Sequence, residues 1–198
     1  MSSTKNSLKL IATLLAFGAT GVAQAHTGHG TESLMEGLSH PFGLDHLLAM
    51  VAVGLWSAKS LSLRDAWQGP TTFMSALLGS AVLGHMGWAA SWMDTAIALS
   101  VVLFGLMLAR QQTLGKATGL ALIAVAASLH GVAHGAETPA SGFMGYALGF
   151  MLTSACLHAS GLGLGLVIQR HLQARRGLAF GVMGSALASA GLYLFAQI

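Results

Sequence analysis

Apolar runs separated by short polar segments dominate the chain. Six of them follow residue 40, at roughly 42–58, 70–90, 93–109, 117–135, 141–168 and 178–197. A helix needs about 20 mostly apolar residues, within a range of about 17–25, to cross the hydrocarbon of a bilayer. Only helices and closed barrels satisfy their backbone polar groups there. The runs are continuous and do not alternate with period two, which argues against a barrel. The pattern therefore predicts an all-α, polytopic integral membrane protein built as a bundle of six transmembrane helices. The first run is short and carries Asp45 and His46. The fifth is long enough to tilt or break, and Gly161, Gly163 and Gly165 at spacing two predict a kinked or unwound stretch past its middle.

The segment ahead of these runs has the pattern of a secretory leader. Lys5 and Lys9 form a basic start, 10–22 is an apolar core, and Ala23-Gln24-Ala25 is a small-x-small cleavage pattern. Residues 1–25 are thus expected to be a signal peptide cut after Ala25. Residues 26–198 would form a single six-helix transmembrane domain beginning at His26.

Composition agrees with lipid as the solvent. The chain is 54% hydrophobic and 8% charged, against about 25% charged residues in soluble domains. Its 26 glycines suit close helix packing in a bilayer. The formal charge of +3 does not indicate a nucleic-acid partner, because of where the charges lie. Outside the leader, Lys59 and Arg64, Arg110 and Lys116, and Arg170, Arg175 and Arg176 all fall on alternate loops. The positive-inside rule puts those loops in the cytoplasm of a bacterial inner membrane and both mature termini in the periplasm. The one cysteine, Cys156, excludes an internal disulfide and reads as a small buried apolar residue.

With that orientation, most ionisable residues within the runs sit toward the periplasm, where an intramembrane charge marks a cavity or a partner. One group is His40-Pro41-Phe42-Gly43-Leu44-Asp45-His46, running on to Met50. Pro41 can open a helix without loss of an internal hydrogen bond, and His46 and Met50, four apart, share a face. A second group is His130-Gly131-Val132-Ala133-His134-Gly135-Ala136-Glu137. His130 and His134 are spaced as in many helical metal sites, and Glu137 follows three residues on. Gly131 and Gly135 would let another backbone come close. Imidazole with carboxylate suits Ni, Co, Zn or Fe. His85 lies in the outer third of the second run and His158 past the middle of the fifth, where each reads equally as a ligand or as a hydrogen-bonded core histidine. Asp94 reads as a first-turn acid, His171 as a solvated loop residue, and His26 with His29 either as a metal-scavenging start to the mature chain or as a mobile tail with no essential role.

These two groups, with the leader and six spans, resemble the HupE/UreJ family of nickel/cobalt transporters, often associated with hydrogenase or urease systems. The likeness rests on His40…Asp45-His46-Leu47-Leu48-Ala49-Met50 and on His130-Gly131…His134-Gly135…Glu137. It implies that Asp45, His46, His130, His134 and Glu137 are functional residues. The chain has four residues between His40 and Asp45 where the family pattern has five, and Leu129 where Phe is usual. If the shortening falls in the non-helical stretch around Pro41, His40 can still join a site. If it falls inside the helix, His40 turns away by about 100°.

The resemblance implies a carrier or facilitator with no catalytic cofactor, whose cargo is Ni2+ or Co2+, with Zn2+ also compatible. Its partners would be the ion, the lipid bilayer and nickel-enzyme maturation proteins. The metal site would draw on His40, Asp45, His46, His130, His134 and Glu137, with His85, His158 and His26 as further ligands. Two rival readings use the same residues. One is an intramembrane zinc hydrolase, with an open metal position for activated water. The other is a metal-binding accessory protein for hydrogenase or urease assembly.

Overall fold

A computed structural model describes residues 31–112, 114–138 and 142–198 of the chain. The expected signal peptide, its cleavage point, His26 and His29 lie outside the described residues. Seven α-helices and two short 3-10 turns make up the structure, and no strand occurs among the described residues. Helix α1 is Thr31–Ser39, α2 Leu44–Ser60, α3 Gln68–His85, α4 Met93–Ala109, α5 Lys116–Glu137, α6 Phe143–His171 and α7 Arg176–Phe195.

The first run does not begin as a simple helix. His40-Pro41-Phe42 tightens into a 3-10 turn, where the missing proline N–H costs no helical bond. Gly43 then leaves helical geometry, with φ −52° and ψ 137°, and caps the start of α2. The chain bends by 70° there, between Ser33–Phe42 and Leu44–Ser60. Helix α1 was not anticipated from the sequence, because so short a segment, with polar and acidic residues interspersed, shows no extended apolar run.

Helices pack mainly in pairs: α3 on α5, α4 on α7 and α2 on α6, with α1 against the start of α6. Helix α2 also touches α3, α4 and α7, so it is the central element. Its Met50, Val53, Leu55 and Trp56 join Phe73, Val101, Phe104, Ile123 and Phe150 in the core. Each pair closes over small residues. A Cβ on Gly135 would strike the backbone of Ala81 on α3, and one on Gly161 would strike Val51 on α2. A side chain on Gly184 of α7 would meet Gly105 and Ala109 of α4. Without a hydrophobic drive between helices in lipid, such close backbone approach supplies the van der Waals contact that holds a bundle.

The outer surface is apolar. Leu78, Val82, Leu83, Val125, Leu148, Leu152, Val182 and Leu192 are all exposed, a density of apolar surface that soluble monomers rarely carry. Trp67 at one end, and Trp88 and Trp92 at the other, are also exposed, as in interfacial aromatic belts. Three segments, Lys116–Glu137, Phe143–His171 and Gln173–Phe195, are each long and apolar enough to cross a membrane, and the bent α1–α2 pair makes a fourth if taken as one span. The six-span expectation is thus met in part. Helix α4 has 17 residues and counts as a shorter apolar helix. Polar Gln68, Thr71, Thr72 and His85 dilute α3, which ends at His85 rather than at residue 90.

Two further expectations are corrected. Helix α6 runs unbroken for 29 residues: Gly161 and Gly165 face α2 rather than relaxing the helix, while Gly163 looks into open space. Cys156 is exposed rather than buried, because it falls on the outer face of α6, where an apolar sequence run meets lipid instead of a core.

The basic residues gather at the end of the bundle opposite Asp45 and His46. Lys59 Nζ donates to the carbonyl of Leu108 at 2.7 Å and to that of Arg110. These carbonyls close α4, where a cation is favoured by the helix dipole. Lys116 Nζ pairs with Asp65 at 3.3 Å.

Candidate metal centre

The site forms where the bend before α2 meets the last turns of α5. Asp45, in the first turn of α2, accepts the backbone N–H of His46 at 2.8 Å on Oδ1. The same oxygen accepts the ring Nδ1–H of His46. That bond puts the His46 proton on Nδ1 and leaves a lone pair on Nε2, aimed inward. There it meets Nε2 of His134, which reaches across from α5.

The His134 ring faces a conflict. Its Nδ1 lies 3.5 Å from the Glu137 carboxylate, which favours a proton on Nδ1. A proton there leaves lone pairs on both facing Nε2 atoms. Moving it to Nε2 instead turns a lone pair toward the carboxylate. One cation between the rings, a proton or a metal ion, removes the conflict. His40, from the 3-10 turn, completes the group edge-on, with ring centroids 5.3 Å from His46 and 4.7 Å from His134. One nitrogen from each of His40, His46 and His134 lies within 4.8 Å of the others. His46 and His134 are buried and His40 is half-buried, so the site has a solvent side.

The shortened spacing from His40 to Asp45 is absorbed by the 3-10 turn and Gly43, outside α2, and His40 therefore still reaches the group. Glu137 sits at the mouth, with Oε2 3.6 Å from His40 Nε2 and its side chain 56% exposed. Asp45 and Glu137 thus stand behind the imidazoles rather than within the three-nitrogen set. Carboxylate behind histidine is a recurrent arrangement that fixes the ring tautomer and raises ligand basicity.

His130 lies one turn deeper on α5 and is fully buried. Its Nε2–H donates to Ser100 Oγ at 2.8 Å, while the Ser100 hydroxyl donates to the carbonyl of Ile97. Its centroid is 5.4 Å from His46 and 6.2 Å from His134, outside the trio. His158 is deeper still and packs on Phe73. His85 lies apart from the cluster: it is exposed and stacks on Phe143 at 4.6 Å, because α3 turns its last residue outward. Asp94 is a first-turn acid of α4, and His171 is exposed.

Aromatic walls were not foreseen. Phe150 lies 4.8 Å from the His134 ring and 5.8 Å from His40, and Tyr146 is 5.7 Å from His40. These residues sit in the apolar run of α6, and nothing in that run sets them apart. An apolar crevice lined by Leu77, Ala81, Phe143, Tyr146 and Phe150 reaches His134 from the side.

An all-helical bundle with an apolar exterior and a largely buried histidine cluster backed by two carboxylates defines a membrane protein with a candidate transition-metal site. The chain matches, over residues 13–194, the family described as HupE / UreJ protein. It is also 39% identical over 188 residues to Protein HupE of Rhizobium leguminosarum bv. viciae, covering 94% of this chain and 96% of that one. The chain belongs to the HupE/UreJ family. No solved structure matches it significantly.

Proposed function

We propose that this protein carries a divalent transition metal, Ni2+ or Co2+, from the periplasm across the bacterial inner membrane. It would act as a facilitator or secondary transporter rather than an enzyme. The observation that carries the reading is the trio of His40, His46 and His134, which brings one ring nitrogen of each within 4.8 Å of the others. Family membership supports nickel and cobalt as cargo. The ligand types alone would also take Zn2+. Ligands from three separate segments suit a site that must both capture an ion and release it.

In this reading α2 to α7 each cross the membrane, with the basic loops in the cytoplasm and the histidine cluster at the periplasmic side. Helices of 17 and 18 residues are about 26 Å long, slightly less than a hydrocarbon core of about 30 Å. Local thinning and interfacial side chains make up that difference at modest cost. The leader, cut after Ala25, would deliver His26 to the same side, where it can gather the ion. Asp45 and Glu137 offset the charge of the cargo. Nickel-enzyme maturation proteins are the natural recipients on the inner side.

The test is accumulation of Ni2+ and Co2+ in cells expressing wild type, His46→Ala or His134→Ala at matched membrane levels. Each variant should lose accumulation by roughly tenfold or more, on the scale that disrupting a metal site carries. Equal accumulation in all three overturns the proposal.

A further inference from the structure

Two imidazoles lie deeper in the bundle than the trio, and each has one nitrogen without a hydrogen-bond partner among the described residues. His158, on α6, is 1% exposed. Its Nδ1–H donates to the carbonyl of Ser154 at 2.7 Å, which leaves a lone pair on Nε2, buried and unpartnered. In a regular helix that carbonyl already accepts the backbone N–H of residue 158. The ring bond is therefore not needed to satisfy Ser154; its effect is to orient the imidazole. His130 has the complementary arrangement. Its Nε2–H is held by Ser100, and the lone pair falls on the buried, unpartnered Nδ1. Both rings lie against the same side chain, Phe73, with centroids at 5.6 Å for His130 and 4.9 Å for His158.

Orphaned buried nitrogens in an apolar core cost stability, and here two occur around one phenyl ring. The rings also continue a series. His46 lies 4.2 Å from His134 and 5.4 Å from His130, and Phe73 then links His130 to His158. The described acids lie elsewhere. Asp45 and Glu137 flank the trio, Asp65 is bound to Lys116 at the opposite end, Glu36 is on α1, and exposed Asp94 opens α4.

We infer that His130 Nδ1 and His158 Nε2 form a second, inner station for the cation, made of nitrogen ligands without a carboxylate. This inference rests on the transport reading above. The outer site, with two acids, attracts any divalent ion. Mg2+ and Ca2+ take oxygen ligands and part reluctantly from water, whereas imidazole suits Ni2+, Co2+ and Zn2+. The inner pair therefore adds a second nitrogen-selective step, one without an acid to attract a hard ion. With only two neutral protein ligands it holds the ion weakly enough to pass it on.

The experiment uses purified full-length protein, titrated with Ni2+ in detergent and assayed for Ni2+ flux in liposomes loaded with a metal indicator. Wild type, His46→Ala, His158→Asn and His158→Gln are compared. Asparagine can keep a donor near Nδ1 for the Ser154 carbonyl but has nothing at the position of Nε2, whereas glutamine reaches that position. His158→Asn should bind Ni2+ at the outer site within about threefold of wild type yet lose flux by roughly tenfold or more, the scale of a lost metal contact. His158→Gln should recover part of the flux. Wild-type flux in His158→Asn overturns the inner station, as does a flux loss matched by an equal loss of outer-site affinity, since that marks a packing role. If the asparagine variant does not extract as a monodisperse protein, His158→Gln decides: outer-site affinity near that of wild type with reduced flux supports the station, and unchanged flux overturns it. Wild-type flux that vanishes in His46→Ala but persists in the His158 variants refutes the inner station alone. Absence of flux in wild type for both Ni2+ and Co2+ refutes the transport reading itself.

Discussion

At the residue scale, the distinguishing feature is one carboxylate oxygen with two donors from the same neighbour. Asp45 Oδ1 accepts both the backbone N–H and the ring Nδ1–H of His46, so the orientation and tautomer of that ring are set together. Replacing Asp45 with Asn keeps an acceptor of similar shape but removes its charge. The imidazole becomes less basic at Nε2, and its proton is less firmly held on Nδ1. Asp45→Asn should therefore bind Ni2+ about 10- to 100-fold more weakly than wild type, the usual range for loss of an outer-shell carboxylate, with the fold retained. Titration of the purified protein measures this. Affinity equal to wild type would show that Asp45 is only a first-turn acid of α2.

At the element scale, glycine decides which helices can be neighbours. Gly131 and Gly135 let α5 lie against α3 backbone to backbone, and this contact places His130 and His134 at the depth where they face α2. Gly135→Val would drive a branched side chain into the Ala81 carbonyl. Overpacking of this kind costs about 1–3 kcal/mol or more, so the variant should melt earlier in detergent and bind metal poorly. Gly163, about two turns before the end of α6, has nothing within 4 Å of its would-be Cβ. Gly163→Ala should be neutral, or stabilising by up to about 1 kcal/mol, through helix propensity and reduced unfolded-state freedom. A thermal-shift comparison of the two variants checks both. Equal destabilisation would mean that glycine content, rather than position, governs packing.

At the scale of the whole molecule, charge and chemistry lie at opposite ends. The Lys59 contacts and the Asp65–Lys116 pair mark one end, and the histidine trio the other. In the proposed topology this polarity puts the histidine trio on the side from which the ion would arrive. With Cys156 replaced by Ser, a single cysteine at exposed Ser91 should react with a membrane-impermeant thiol reagent in intact spheroplasts. One at exposed Ser62 should react only after lysis. The reverse labelling pattern would invert the proposed topology.

Much of this was legible along the chain. Apolar runs locate helices because lipid demands them locally, so α4 to α7 lie close to where the pattern places them. Basic loops and the two histidine motifs were equally local signals. The bend at Pro41 and Gly43 was only half visible: proline and glycine announce a break, but not that it would return His40 to His46. Spacing marks Asp45 and Glu137 as possible ligands but not that they would stand against the outer nitrogens of His46 and His134, because it gives a helical face and not the distance across to another helix. Phe73, Ser100, Tyr146 and Phe150 carried no signal, since an aromatic or a serine in an apolar run looks the same whether it faces lipid or a histidine.

Sequence by itself thus determined the class of molecule, the approximate helices, the segregation of charge and the two histidine motifs, all properties that act over a turn or two of helix. Tertiary structure alone decided which imidazoles meet, which nitrogen of each is free, and that His130 and His158 lie inward of the trio while His85 lies outside it. Those outcomes depend on close approach between segments far apart in the chain, 88 residues at His46 and His134 and 115 at Leu38 and Thr153, and no local pattern encodes such a distance.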